Sequence, residues 1–293
     1  MAKVVVTGGS GFIGARVVTR LRECGADVTV LDVVAPAADD VRGVVGSVLD
    51  LDTVVSAIAG ADSVVHMAGP VRGSMRSAPL AGATLQLQGT LNVLEACCRA
   101  DVAHLAFASS FYVYDGIDPA ATVDEQTLLD VRAVELFGRC KLMGETLCRD
   151  WSTASGLGVV MFRIGPAYGG GGTSAVDQLL LDGLAHRAVE IWGSGDRHNQ
   201  YTYVGDLADA ICTGLDHDGE TYNLTSPEAV TLAQLGELMR GFGFTVVHDE
   251  SRPAGPHLPT IDSSKAFDEL GWAPVALEDG LRRMLEEQQV KVM

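Results

Sequence analysis

Thr7-Gly8-Gly9-Ser10-Gly11-Phe12-Ile13-Gly14 decides the fold. It follows a β-branched run, Lys3–Thr7, and leads into residues 12–24, where Ile13, Val17, Val18 and Leu21 share one helical face. Glycines at 8, 11 and 14 permit a tight turn, close backbone approach to a pyrophosphate, and close helix–strand packing. The helix that follows points free N–H groups at an anion. A glycine motif alone is weak evidence; the strand before it and the helix after it make it specific.

The next apolar strand, 27–33, places Asp32 18 residues after Gly14. A carboxylate there can accept both hydroxyls of an adenosine ribose and would repel a 2′-phosphate, which favours NAD over NADP. Ser47 and Val48 follow a third strand and are expected at the adenine edge. Helices are expected over 52–58, 84–99 and 132–153, and strands over 63–66, 104–109 and 159–164. Nearly all-apolar strands alternating with amphipathic helices predict a parallel sheet covered on both faces. Past residue 165 the rhythm breaks. Gly169–Gly172 reads as a loop, helices are expected over 177–186, 206–215, 231–240 and 277–288, a short strand over 200–204, and a proline-rich loop over 251–259.

Composition bounds the rest. The chain has 293 residues, 47% hydrophobic and 20% charged, an ordinary globular balance. Its 21 basic and 38 acidic residues leave a net charge of -17, which makes nucleic acid an unfavourable partner. No apolar run reaches the roughly 18 residues of a membrane span, and Val4–Val6 is too short for a signal peptide, so a cytoplasmic location is expected. Six cysteines form no CxxC pair and seven histidines no cluster, so neither a disulfide nor a bound metal is expected.

Several motifs in order carry a resemblance: TGGSGFIG at 7–14, VVHMAG at 64–69, FASS at 107–110, GRCKLMGE at 138–145, RIGPAYGGG at 163–171, YTYVGDLADAI at 201–211 and DSSKAFDELGWAP at 262–274. The sequence resembles the extended short-chain dehydrogenase/reductase family, in its NAD-dependent epimerase/dehydratase group, over nearly its whole length. The resemblance implies a doubly wound parallel Rossmann domain, here 1–165 with about 200–225, and a smaller C-terminal α/β substrate domain, 166–199 with 226–293. It implies NAD held by Gly8, Gly11, Phe12, Ile13, Gly14 and Asp32, with Met67, Ala68, Gly69 and Ala108 bordering it. It also implies a homodimer joined by a four-helix bundle built from the helices near 84–99 and 132–153, and often a nucleotide-sugar substrate.

The family pairs a Ser or Thr after the fourth Rossmann strand with Tyr-x-x-x-Lys on the next long helix. Tyr and Lys at that spacing share a helix face, and the lysine lowers the phenol pKa so that it can exchange a proton near neutrality. Ser110 and Lys141 match; the tyrosine position is Phe137, which has no ionisable hydroxyl. Two readings stay open. Phe137 is a substitution that impairs the enzyme or traps its substrate, in which case Phe137→Tyr raises turnover at least tenfold; or it is native and the proton travels otherwise. Tyr112 can project a phenol into the pocket or simply pack; Tyr114 matches a packing position, and Cys140 and Cys148 read as small buried residues.

Phe111-Tyr112 stands where the family's dehydratases carry an Asp-Glu pair, which reads against a 4,6-dehydratase and leaves aromatic walls for a substrate ring. Asn199 replaces the family's diphosphate-clamping Arg, with Arg197 two residues before it, and Pro166 replaces a substrate-binding Asn. The C-terminal loop keeps Arg252 but not its usual Asp, and Arg72 and Arg76 are further anion-binding candidates. The expected function is hydride transfer at a secondary hydroxyl of a sugar or nucleotide sugar. The alternatives are a polyol or other natural-product substrate, or a non-redox protein holding NAD as a structural ligand.

Overall fold

The computed structural model describes residues 1–252 and 257–292, with side chains through 287. Seven strands form one wholly parallel sheet: β1 (Lys3–Thr7), β2 (Asp27–Asp32), β3 (Arg42–Val45), β4 (Ser63–His66), β5 (His104–Ser110), β6 (Gly158–Ile164) and, after β7 (Ala188–Trp192) of a separate small sheet, β8 (Thr221–Leu224). Their spatial order is β8-β6-β5-β4-β1-β2-β3. The chain runs outward from β1 to β3, then crosses back to β4 on the other side of β1. The β1/β4 junction is therefore the switch point, outside whose carboxyl ends ligands bind.

Two apolar layers sandwich the sheet. On one face Val4, Val6, Val30 and Phe162 pack against α1 (Phe12–Glu23), through Val17, Val18 and Leu21, and against Leu207 and Ile211. On the other, Val5, Val64, Leu105 and Met161 pack beneath α2 (Leu51–Ile58), α4 (Pro79–Arg99) and α5 (Leu136–Ser155), through Val54, Val93 and Cys148. Strands buried on both faces need apolar residues at every position, as the near-continuous runs of β1 and β4 show. A third core gathers residues from 168 to 203 and from 230 to 284 around Tyr168, Leu180, Ile191 and Leu235. It lies between α6 (Ala175–His186), α8 (Leu232–Gly241) and α10 (Leu277–Val292), beside the parallel pair β7 and β9 (Thr245–Asp249). The connecting helices α7 (Val204–Thr213) and α9 (Ser264–Leu270) return to the main sheet.

Several elements differ from expectation. Helix α4 begins at Pro79 rather than 84, because proline at the first helical position already has a helical φ and leaves no N–H unbonded. A short helix, α3 (Arg72–Ser77), occupies what reads as loop; its single buried apolar side chain, Met75, leaves no periodic signal. Helix α5 begins at Leu136 rather than 132, because Glu135 is extended and its carboxylate is drawn to Arg72 and Arg76. The expected strand 200–204 shrinks to Thr202–Tyr203, and helix α7 starts at Val204. Residues 253–256 of the proline-rich loop lie outside the described residues.

Candidate active site

The phosphate turn is set by sterics. Gly8 has φ +72°, and a Cβ on it would fall 2.6 Å from the backbone N of Ala68. A Cβ on Gly14 would fall 2.1 Å from the Gly8 carbonyl oxygen. Glycine is required at both, and the turn closes through Gly11 N–H donating to that oxygen at 3.1 Å. Beside it a pocket of about 260 Å³ is lined by Asp32, Ser47, Val48, Met67 and Ala68. One Asp32 oxygen accepts from Ser10 N at 3.0 Å and the other from Val34 N at 3.2 Å, which fixes the carboxylate at the pocket wall with lone pairs to spare. The glycine cradle and this acceptor fit the diphosphate and ribose of a dinucleotide.

Through Gly8, Gly11, Met67 and Gly69 the pocket continues into a cleft of about 320 Å³. Its walls include Phe12, Ile13, Gly14, Arg72, Ala108, Ser110, Phe111, Tyr112, Phe137 and Lys141. Ser110 ends β5, and its Oγ accepts the Tyr112 N–H at 3.3 Å. Lys141, from α5, is buried and donates from Nζ to the Ala108 carbonyl at 2.7 Å, which ties the helix to the strand that carries Ser110. Burial lowers the Lys141 ammonium to about 8. Beneath it His66 bonds Thr7 Oγ1 at 2.7 Å and Thr90 Oγ1 at 3.3 Å. Burial, with Lys141 nearby, lowers His66 to about 3, so it is neutral.

Phe137 stands edge-on to Tyr112, ring centroids 5.8 Å apart, with Lys141 Nζ 5.9 Å from the Phe137 centroid. The Arg72 guanidinium lies 4.3 Å above the Tyr112 ring, and its Nη1 is 3.5 Å from the phenol oxygen. Beyond Phe111 a narrow groove is lined by Pro166, His198 and Asn199, and Asn199 donates to the Tyr201 hydroxyl. Arg197 is half-buried and lines none of these cavities. Arg252 is not brought to the cleft: it stacks on Trp192 at 4.9 Å and pairs with Asp249 and Glu190 along β7 and β9.

Three groups escape sequence reasoning, two of them because their partners are remote. Glu145 is fully buried, accepts from Ser109 Oγ at 2.6 Å, and receives a two-pronged guanidinium from Arg163 at 2.9 and 3.0 Å. Glu135 gathers Arg72 and Arg76. Gln86 turns a buried, unpartnered Oε1 towards Gly69, where a Cβ would lie 2.8 Å away. The only local signal was the buried spacing of Gln86 on α4, which a core helix shares.

A family model described as the NAD dependent epimerase/dehydratase family matches residues 4–225. The chain belongs to this family. NAD is its cofactor. A dTDP-glucose 4,6-dehydratase of Streptomyces niveus is 30% identical over 97% of this chain and 92% of its own. A putative UDP-glucose 4-epimerase of Methanocaldococcus jannaschii is 27% identical over 96% of this chain and 97% of its own. Among solved structures, MoeE5 in complex with UDP-glucose and NAD superposes with a TM-score of 0.88 at 25% identity, covering 100% of both chains. A UDP-glucose 4-epimerase of Thermotoga maritima shares the fold, with a TM-score of 0.90 at 24% identity over 99% of this chain and 100% of its own.

Proposed function

We propose that this epimerase-family protein passes a hydride between NAD and a secondary hydroxyl carbon of a nucleotide sugar. The observation that carries the reading is the continuity of the cavities: the pocket ending at Asp32 opens into the cleft where Ser110 and Lys141 stand. Ser110 would hold the substrate oxygen, and Lys141 the nicotinamide ribose. NAD supplies the hydride acceptor and donor. Phe111 and Tyr112 would flank the sugar ring, and the narrow groove at Pro166, His198 and Asn199 adjoins the cleft at Phe111. The complex of MoeE5 with UDP-glucose supports this substrate class.

Helices α4 and α5 carry apolar residues at the same spacing, Leu80, Leu87 and Leu91, and Leu136, Met143 and Leu147; Leu80, Leu136 and Met143 are exposed, while Leu147 also packs on the second core. Two copies meeting there would form a four-helix bundle. Six free thiols suit a reducing compartment, which favours the cytoplasm.

Native mass spectrometry of the purified protein, followed by calorimetric titration with UDP-glucose, tests the main reading. The expected result is co-purified NAD and saturable sugar-nucleotide binding. Protein that binds neither NAD nor any nucleotide sugar overturns it.

A further inference from the structure

We propose that Tyr112 is the catalytic proton carrier of this protein, with Arg72 as the cation that supports its phenolate. The proposal rests on the hydride-transfer reading above. Removing a hydride from a carbinol carbon requires that its oxygen lose a proton, and Phe137 cannot take one. Among the described residues lining the cleft, only Arg72, Tyr112 and Lys141 bear titratable groups. A guanidinium does not deprotonate in proteins. Lys141 spends one Nζ donor on the Ala108 carbonyl at 2.7 Å, and in the reading above the others are turned to the nicotinamide ribose. His66 lies below the cleft, both ring nitrogens engaged by Thr7 and Thr90. Tyr112 remains.

The placement of Tyr112 suits the task. Tyr112 is two residues from Ser110, the residue positioned to hold the substrate oxygen, and its backbone N–H bonds that hydroxyl. Its ring meets the edge of Phe137 at 85°, so the phenol stands one ring away from the side chain that lacks one. Arg72 stacks on that ring and points Nη1 at the phenol oxygen, while Glu135 grips the guanidinium at 2.7 and 3.1 Å. Glu135 thereby fixes the guanidinium over the ring, with an N–H facing an oxygen that can accept it as phenol or as phenolate. With NAD bound as the two-electron acceptor, the Tyr112 phenolate would take the substrate hydroxyl proton as the C–H pair left the carbinol carbon as hydride, giving a carbonyl. In the return step the hydride comes back to the carbonyl carbon and the Tyr112 phenol gives its proton to the oxygen.

The test compares wild type, Tyr112→Phe, Phe137→Tyr and the double variant, with UDP-glucose as probe. Tyr112→Phe should lower kcat by about 10²–10⁴, while co-purified NAD and UDP-glucose affinity stay within about twofold of wild type. Adding Phe137→Tyr to that variant should restore at least about tenfold of the lost rate. Full activity in Tyr112→Phe overturns the proposal, as does a wild type that is inactive where Phe137→Tyr turns over. Turnover by neither wild type nor Phe137→Tyr, with any nucleotide sugar, defeats the hydride-transfer reading itself.

Discussion

Lys141 is the clearest case of a residue whose setting alters its chemistry. Its ammonium is held away from water, and burial brings it from an ordinary 10.5 to about 8. Between those values the unfolded chain keeps a proton that the folded chain has given up. Unfolding free energy therefore gains a positive slope with pH in that window, and the penalty of burying the charge is full below it. In cofactor-free protein, urea unfolding should show wild type gaining stability relative to Lys141→Met as pH rises from 8 to 10.5. A difference that stays flat across the window would show that the ammonium is not desolvated. Ser110 and Lys141 were candidates in the sequence because FASS at 107–110 and GRCKLMGE at 138–145 carry the family resemblance. Arg72 was legible only as a candidate charge: its anchor, Glu135, lies 63 residues away, and no periodicity reports such a pairing.

At the scale of elements, helix α5, which carries Lys141, and strand β6 are riveted by Glu145 and Arg163. Burial raises the Glu145 carboxyl, but the Arg163 hydrogen bonds more than offset this and hold it below the ordinary range. Removing one member leaves the other charged and stranded in the core. Glu145→Ala should cost about 3–5 kcal/mol in urea unfolding, and Glu145→Ala with Arg163→Met less than that. A loss below about 1 kcal/mol for the single variant would mean that the pair is solvated in solution. The parallel strands and the glycine turn were readable because their residues are apolar or small at nearly every position. The starts of α3 and α5 were not, since they are set by Met75 filling a gap and by a carboxylate reaching across the cleft.

For the whole molecule, the apolar stripes of α4 and α5 set an expectation about assembly. Met143 is 47% exposed at the centre of its stripe. Met143→Glu should shift sedimentation at micromolar concentration from a dimer to a monomer without loss of secondary structure; a wild type that already sediments as a monomer removes the bundle. The seven strands also all point the same way, so the glycine-turn pocket and the adjoining cleft crowd along one rim. The opposite rim carries the reverse turns at Gly25, Gly60 and Gly156, each left-handed, with no atom within 4 Å of where a Cβ would stand. That rim is where the chain could be cut and rejoined, or a fluorescent reporter spliced in, without the blind side of the fold disturbing its working side.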